Sequence, residues 1–235
     1  MSREVFTLKQ AAQHVHLQMN ELRHFAQRGE IDAVNRGGEW YFEHRALDEW
    51  AQREMLAAPH RDLAEQHRLM TGGRAGGKGW SVADLFGEAT TDLAVRAKAK
   101  AGILRDMTDL AVAGGRVYDA EALFRELVAR EEAASTAIGE NVALLHPRFH
   151  DPYLFEESFI AYGRAERPIY FGATDGEGTR HFFLVCSTDH EQHLRILARL
   201  AVLAHGTDLM RRLDSAGSAD EAIAAVRECE AAYRD

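Results

Sequence analysis

Only two cysteines, Cys186 and Cys229, occur in the 235 residues. They form no metal-binding or redox spacing, so neither a disulfide framework nor a cysteine-rich zinc module organises the chain. Long apolar runs are missing, and none approaches the ~20 residues that a membrane-spanning helix needs. The opening MSREVFTLKQ has no apolar h-region. No secretory signal is expected there, and the expected location is the cytoplasm. An excess of positive charge is missing too. The formal net charge is −9, with 11 Lys and Arg against 11 Asp and Glu in residues 1–80 and 17 against 26 in residues 81–235. Non-specific nucleic-acid binding draws on a positive field, which this composition does not supply. The glycine-rich tract TGGRAGGKG is no phosphate-binding loop. Lys78 is followed by Gly79-Trp80 rather than Ser or Thr, and no apolar strand precedes it.

What is present is an ordinary globular composition, 46% hydrophobic, in a chain long enough for one domain or two. The glycines at 72–79 favour two. The expected division is residues 1–56, a partly helical, glycine-rich flexible linker over 57–79 with helix from Asp62 to Met70, and residues 80–235.

In the first part, Thr7 reads as the N-cap of a helix from Leu8 to about Val15. His16-Leu17-Gln18 breaks it. A second helix is predicted from Asn20 to Arg28, with Leu22, Phe25 and Ala26 inward and Gly29 as its C-cap. Ile31 to Val34 and Trp40 to Phe42 read as strands around a Gly37-Gly38 turn. Arg45 to Met55 reads as a third helix, with Leu47, Trp50 and Ala51 inward. Two helices, a two-stranded wing and a helix make a compact helix-turn-helix variant. Thr7-Leu8-Lys9-Gln10-Ala11-Ala12, Leu17, Leu22, Gly29-x-Ile31, Gly37-Gly38-x-Trp40-x-Phe42 and Arg45-x-Leu47-Asp48-Glu49-Trp50 together resemble the excisionase/MerR-like helix-turn-helix family. The resemblance implies DNA recognition by the second helix, with Asn20, Arg23, His24 and Gln27 facing the major groove and Arg36 near a phosphate. Where that family often has glycine in the turn, this chain has His16, and its second helix is less basic. The alternative use of such a module is dimerisation or protein contact.

In the second part, Ser81 is expected to cap a one-turn helix over Val82, Leu85 and Phe86. Asp92 to Ala113 is read as a helix ended by Gly114-Gly115, and Asp119 as the cap of a helix reaching Glu132. Ser158 to Tyr162, Pro168 to Phe171 and His181 to Cys186 read as strands, with a turn over Asp175 to Gly178. Thr188 and Glu191 form a T-x-x-E capping pattern for a helix from Asp189 to about Ala204, with His193 on its apolar face. Thr207 to Leu213 and Ser218 to Tyr233 close the chain as helices. Helices alternating with short strands predict an α/β sandwich.

The chemistry concentrates in Ala129 to Arg148, ARE-x3-ST-x-IGENVALLHPR. Leu123, Leu127 and Arg130 fall at i, i+4 and i+7, so Arg130 extends an apolar helical stripe. Val142 to Leu145 has the pattern of a strand covered on both faces. His146 stands at its end, pointing as Val142 and Leu144 do, and Pro147 stops the ladder. With His193-Leu194, these residues resemble the fructose/mannitol-type enzyme IIA of the bacterial phosphotransferase system, which includes a nitrogen-regulatory branch. The resemblance implies an α/β sandwich of the mannitol-type enzyme IIA kind and phosphohistidine chemistry. His146 would accept a phosphoryl group from an HPr-like phosphocarrier protein, with His193 beside it and Arg130 and Glu140 in the surrounding shell. Arg130 brings a planar donor fork suited to phosphate oxygens. Glu140 could orient the imidazole or hold Arg130, and the sequence leaves both open. The family reads PHG where this chain reads LHPR; the proline removes an N–H and fixes φ.

No cofactor and no metal site are expected. The set His146, His150, His190, His193 and Cys186 lacks the second tight pair of a zinc site. The first functional reading is a phosphotransferase-linked transcription regulator, in which phosphorylation of His146 modulates an N-terminal DNA-binding module. The alternatives are a sugar-transport phosphocarrier acting with a separate permease, its N-terminal module an adaptor, or a non-phosphorylated binding protein that retains the fold. No membrane insertion is expected. A small, neutral helix-turn-helix binds weakly alone, so a homodimer is expected.

Overall fold

The computed structural model describes residues 5–15, 17–57, 81–148, 153–173 and 175–234. The chain divides into two compact units, Met1–Ala58 and Pro59–Asp235. The helix expected over Asp62 to Met70, the glycine tract, His16 and His150 lie outside the described residues.

The first unit runs β1 (Val5–Thr7), α1 (Leu8–His14), α2 (Met19–Gln27), β2 (Ala33–Arg36), β3 (Glu39–Glu43) and α3 (His44–Ala57). Thr7 caps α1 in a reciprocal box with Gln10. Gly29 follows α2 at φ +73°, and Gly37 and Gly38 turn the β2–β3 hairpin at φ +62° and +92°. Positive φ at both central residues is the type I′ condition that suits glycine. The wing has three strands rather than two, in the order β1-β3-β2. Phe6 pairs with Phe42 across the added strand, and three residues are too few to display an alternation in sequence. Leu22, Phe42 and Leu47 are fully buried at the centre of this unit's core.

The second unit opens with Ser81, which caps a 3-10 turn at Val82–Leu85. β4 (Phe86–Val95), α4 (Lys100–Ala113), α5 (Ala120–Ala133), β5 (Ala137–Gly139), β6 (Val142–Leu145), β7 (Phe159–Ile169) and β8 (Thr179–Cys186) follow. The chain closes with α6 (His190–Gly206), α7 (Leu209–Ser215) and α8 (Ala219–Arg234). The sheet is mixed, in the order β4-β7-β8-β6-β5. β4 runs parallel to β7 and β6 parallel to β8, while β7–β8 and β5–β6 are antiparallel. Ala143, Leu145, Ala161, Phe182 and Leu184 pack with Ile103, Met107, Leu123 and Leu127 of α4 and α5. The pleat turns Val142, Leu144, Ile160, Tyr162 and Phe183 to the opposite face. There α6 contacts β6 and β8, and α8 contacts β4.

In the second unit three readings of secondary structure are corrected. The helix expected from Asp92 begins only at Lys100, because Phe86–Val95 is the edge strand β4. Thr90 and Thr91 both donate hydroxyls to the Gly87 carbonyl within it. The two strands expected at Ser158 to Tyr162 and Pro168 to Phe171 are one, β7. Its register with β8 shifts between Arg164 and Ile169, where Pro168 costs no regular ladder bond. The cap of α6 is Asp189, whose carboxylate accepts from Gln192 N at 2.7 Å, and not Thr188.

His181 on β8 is buried, with Nδ1 2.8 Å from the Tyr162 hydroxyl and Nε2 3.4 Å from Asp214. Burial, opposed by Asp214, pushes its pKa down from 6.5 to about 4. Between those values the unfolded chain holds a proton that the folded one refuses. Folding stability is therefore expected to fall as pH falls through this window, by up to ~3 kcal/mol below pH 4. Urea midpoints at pH 7, 5.5 and 4.5 check this, and His181→Gln should flatten the slope. An equally steep slope in that variant would exclude His181 as its source.

Candidate functional site

Asp119 accepts from Ala122 N at 2.9 Å and starts α5. The stripe of Leu123 and Leu127 then carries Arg130 inward in the last turn, where its side chain is buried. Arg130 Nη1 donates to the carbonyl of Ala134, just past the helix end, at 2.9 Å. That contact satisfies a carbonyl beyond the last turn and places a cation at the negative end of the helix. The Arg130 Nε–H is thereby aimed at the C-terminal end of β6.

β6 is buried on both faces, and His146 is the first residue beyond it. Its parity with Leu144 directs the ring toward the α6 layer, while Arg130 reaches it from the α5 layer across the strand end. Arg130 Nε donates to His146 Nε2 at 2.9 Å, and His146 Nδ1 lies 2.8 Å from the Leu144 carbonyl. An arginine can only donate and a carbonyl can only accept. The two bonds therefore fix the tautomer: the proton is on Nδ1 and the lone pair on Nε2.

His193 completes the group from the first turn of α6. Its N–H donates to the Asp189 carbonyl at 2.9 Å. Its ring lies 5.0 Å from that of His146 at 64°. α6 is a 17-residue helix, and the partial positive charge at its N-terminus favours an anion there. His146 and His193 are 1% and 0% exposed, and Pro147, which follows His146, is buried as well.

Glu131 is the residue that sequence reasoning missed. Its buried carboxylate accepts from Thr136 N at 3.0 Å, from Thr136 Oγ1 at 2.6 Å and from Lys100 Nζ at 2.7 Å. Thr136 O in turn accepts from Leu144 N at 3.0 Å. Glu131 thus ties the end of α5 to the strand that carries His146. The signal was the Arg-Glu doublet itself: one of the pair sits on the buried stripe, and its neighbour stays inside only if it is paired.

Glu140 is not brought to the imidazole. It lies in the β5–β6 turn at φ +49°, at the opposite end of β6 from His146. Its carboxylate is 3.5 Å from His205, which is in the last turn of α6, whereas His193 is in the first. About 18 Å of helix separates those positions at 1.5 Å per residue. Cys186 is fully buried, and burial pushes its thiol pKa up.

In the N-terminal unit, Asn20, Arg23, His24 and Gln27 are all exposed. Their i, i+3, i+4, i+7 spacing puts them on the face of α2 opposite Leu22 and Ala26. Arg36 is exposed at the end of β2. Among the described residues no helix is long and apolar enough to cross a membrane.

Both units of the chain are similar to known protein families. Residues 84–229 match the family described as the phosphoenolpyruvate-dependent sugar phosphotransferase system, EIIA 2, and residues 5–55 match a helix-turn-helix domain family. A fructose-specific EIIABC component of Bacillus subtilis is 26% identical over 144 residues, 60% of this chain and 22% of that protein. A nitrogen regulatory protein of Pseudomonas aeruginosa is 30% identical over 123 residues, 52% of this chain and 78% of that protein. Among solved structures, the nitrogen regulatory protein IIA-Ntr of Neisseria meningitidis superposes with a TM-score of 0.56 at 22% identity, over 62% of this chain and 98% of that one.

Proposed function

We propose that this chain, which belongs to the phosphotransferase-system EIIA 2 family and carries a helix-turn-helix domain, is a regulator whose His146 accepts a phosphoryl group from an HPr-like phosphocarrier protein. The modified state then alters the output of the N-terminal module. One observation carries the reading: the Arg130 and Leu144 hydrogen bonds leave the His146 lone pair on Nε2. A neutral imidazole with a fixed tautomer is a competent nucleophile near neutral pH. As the new N–P bond forms, the donor's N–P bond breaks and its electron pair returns to the donor nitrogen. The Leu144 carbonyl continues to accept from Nδ1–H while the ring gains positive character. Arg130 and His193 supply donors for the phosphoryl oxygens, and such positioning and charge stabilisation make up most of the work in phosphoryl transfer.

The exposed set Asn20, Arg23, His24 and Gln27 on α2, with Arg36, supports DNA as the ligand of the front module. Because that module is small and the first 80 residues carry no net charge, it acts as a dimer. A second reading, a binding protein that keeps the fold without transfer, rests on the 1% exposure of His146 and on Pro147 after it. Labelled phosphoenolpyruvate, enzyme I and HPr or its nitrogen-branch counterpart distinguish the two. Label that survives at alkaline pH and is lost in acid supports phosphorylation. No label from either donor leaves the second reading.

A further inference from the structure

A cluster in the N-terminal unit takes no part in the chemistry above. His14 is the last residue of α1, and His44 is the first of α3. Asp48 lies one turn beyond His44, so the two share a face of α3. His14 Nε2 is 2.7 Å from Asp48 Oδ1, and His44 Nδ1 is 3.7 Å from Asp48 Oδ2. One ligand atom from each residue lies within 4.8 Å of the others. The two imidazoles are 4.9 Å apart, and the Phe6 ring packs on both, at 5.1 Å and 5.0 Å. The side chains of His14, His44 and Asp48 are 20%, 30% and 13% exposed, so the group is sheltered but open to solvent on one side.

We propose that His14, His44 and Asp48 bind one divalent transition-metal ion of the zinc type, tying the end of α1 to the start of α3. The donor set decides the class of ion. Two imidazole nitrogens and a carboxylate suit zinc, cobalt and ferrous iron, whereas magnesium and calcium take oxygen shells. The spacing fits as well. With metal–ligand bonds of ~2.0–2.2 Å, atoms at neighbouring tetrahedral corners sit about 3.3–3.5 Å apart. The two separations to Asp48, 2.7 Å and 3.7 Å, fall either side of that value, and all three ligand atoms lie within 4.8 Å of one another, so side-chain rotation closes the set around one ion. The ion takes the Nε2 lone pair of His14 in place of the hydrogen bond to Asp48, with that ring's proton carried on Nδ1. His44 ligates through Nδ1 and keeps its proton on Nε2. Water occupies the fourth position on the open side. The Phe6 ring fixes both imidazole planes and lowers the local dielectric, which strengthens ligation. α1 and α3 flank α2 in sequence, so an ion joining them stiffens the frame from which α2 presents its exposed face.

The test uses the full chain without a polyhistidine tag, stripped with chelator and titrated with cobalt(II) chloride, whose visible absorption reports low-coordinate nitrogen and oxygen ligation. One saturable equivalent per chain is expected, with the band bleached by one equivalent of zinc. His44→Gln alters the most exposed of the three ligands, and Asp48→Asn removes the carboxylate charge. Each should weaken cobalt binding at least ~10-fold, with far-UV circular dichroism unchanged. Absence of a saturable band in the wild-type chain overturns the proposal. So does a band that survives both substitutions, since the ion would then sit elsewhere in the chain.

Discussion

Replacing His146 with alanine is expected to leave no alkali-stable label on the chain after incubation with a phosphorylated carrier, while Arg130→Ala should still be labelled, about 10²–10³-fold more slowly. The first result follows from the nucleophile: the tautomer set by Arg130 and Leu144 leaves the lone pair on Nε2 of His146. The second follows from the part proposed for Arg130 before and during transfer. Before transfer, its Nε–H hydrogen-bonds the lone pair that must attack, which makes the imidazole less nucleophilic. During transfer that bond has to be released, and the guanidinium, still anchored through Nη1 to the Ala134 carbonyl, turns to the phosphoryl oxygens. Only the interaction made in the transition state accelerates the step, so the loss appears chiefly in the single-turnover rate rather than in carrier affinity. Arg130→Lys should recover only part of the rate, because a point charge replaces a planar fork. Single-turnover quenching into alkali measures all three variants. Arg130→Ala transferring at the wild-type rate would remove Arg130 from the reaction, and label on His146→Ala would move the acceptor elsewhere.

The residues that assemble this site were legible in the sequence for a physical reason. Arg130 continues the stripe of Leu123 and Leu127, and an arginine on a buried stripe must reach a partner. His146 ends the apolar run Val142–Leu145, and its parity with Leu144 sets the face on which His193 lies. The position of Glu140 was not legible. It is six residues from His146, but β6 lies between them, and strand rise carries the two to opposite ends of the sheet. β4 was misread because Leu93 and Ala97 fit the helical spacing that continues to Ile103 and Leu104. Only pairing with β7, a strand more than sixty residues away in sequence, makes Phe86–Val95 extended. The three-residue strand β1 depends in the same way on β3. Local capping, by contrast, was read correctly at Thr7, Ser81 and Asp119, where the partner is two or three residues away. The exception is α6: Asp189 holds the cap, while Thr188 donates its N–H to Ser158 Oγ just before β7. That contact spans thirty residues and has no local signature.

Glu131→Ala is expected to destabilise the C-terminal unit by ~3–5 kcal/mol, because it leaves two buried Thr136 donors unsatisfied at about 1–3 kcal/mol each and removes their charge-assisted bonds. The carboxylate has three donors, two from Thr136 and one from Lys100. Its side chain is 3% exposed against 39% for Lys100, so the partners differ in what they lose. Lys100 can turn to water, whereas the buried Thr136 N–H and hydroxyl are left unsatisfied, and an unmade buried bond costs more than the net value of the bond itself. Glu131→Gln should therefore cost much less than Glu131→Ala, since one amide oxygen can still accept from Thr136. Lys100→Met should cost less than ~1 kcal/mol, the scale of a solvent-screened ion pair. At ~2–4 °C per kcal/mol for a unit of this size, Glu131→Ala lowers its calorimetric transition by roughly 6–20 °C, and the transition of the N-terminal unit stays in place. Because Thr136 O accepts from Leu144 N, the same substitution loosens the strand that carries His146. Phosphorylation of Glu131→Ala measured well below its transition should be slowed, and slowed less in Glu131→Gln. Equal stability of the alanine and glutamine variants would mean that Thr136 finds other acceptors, and Glu131 would then be no more than the partner of a surface lysine.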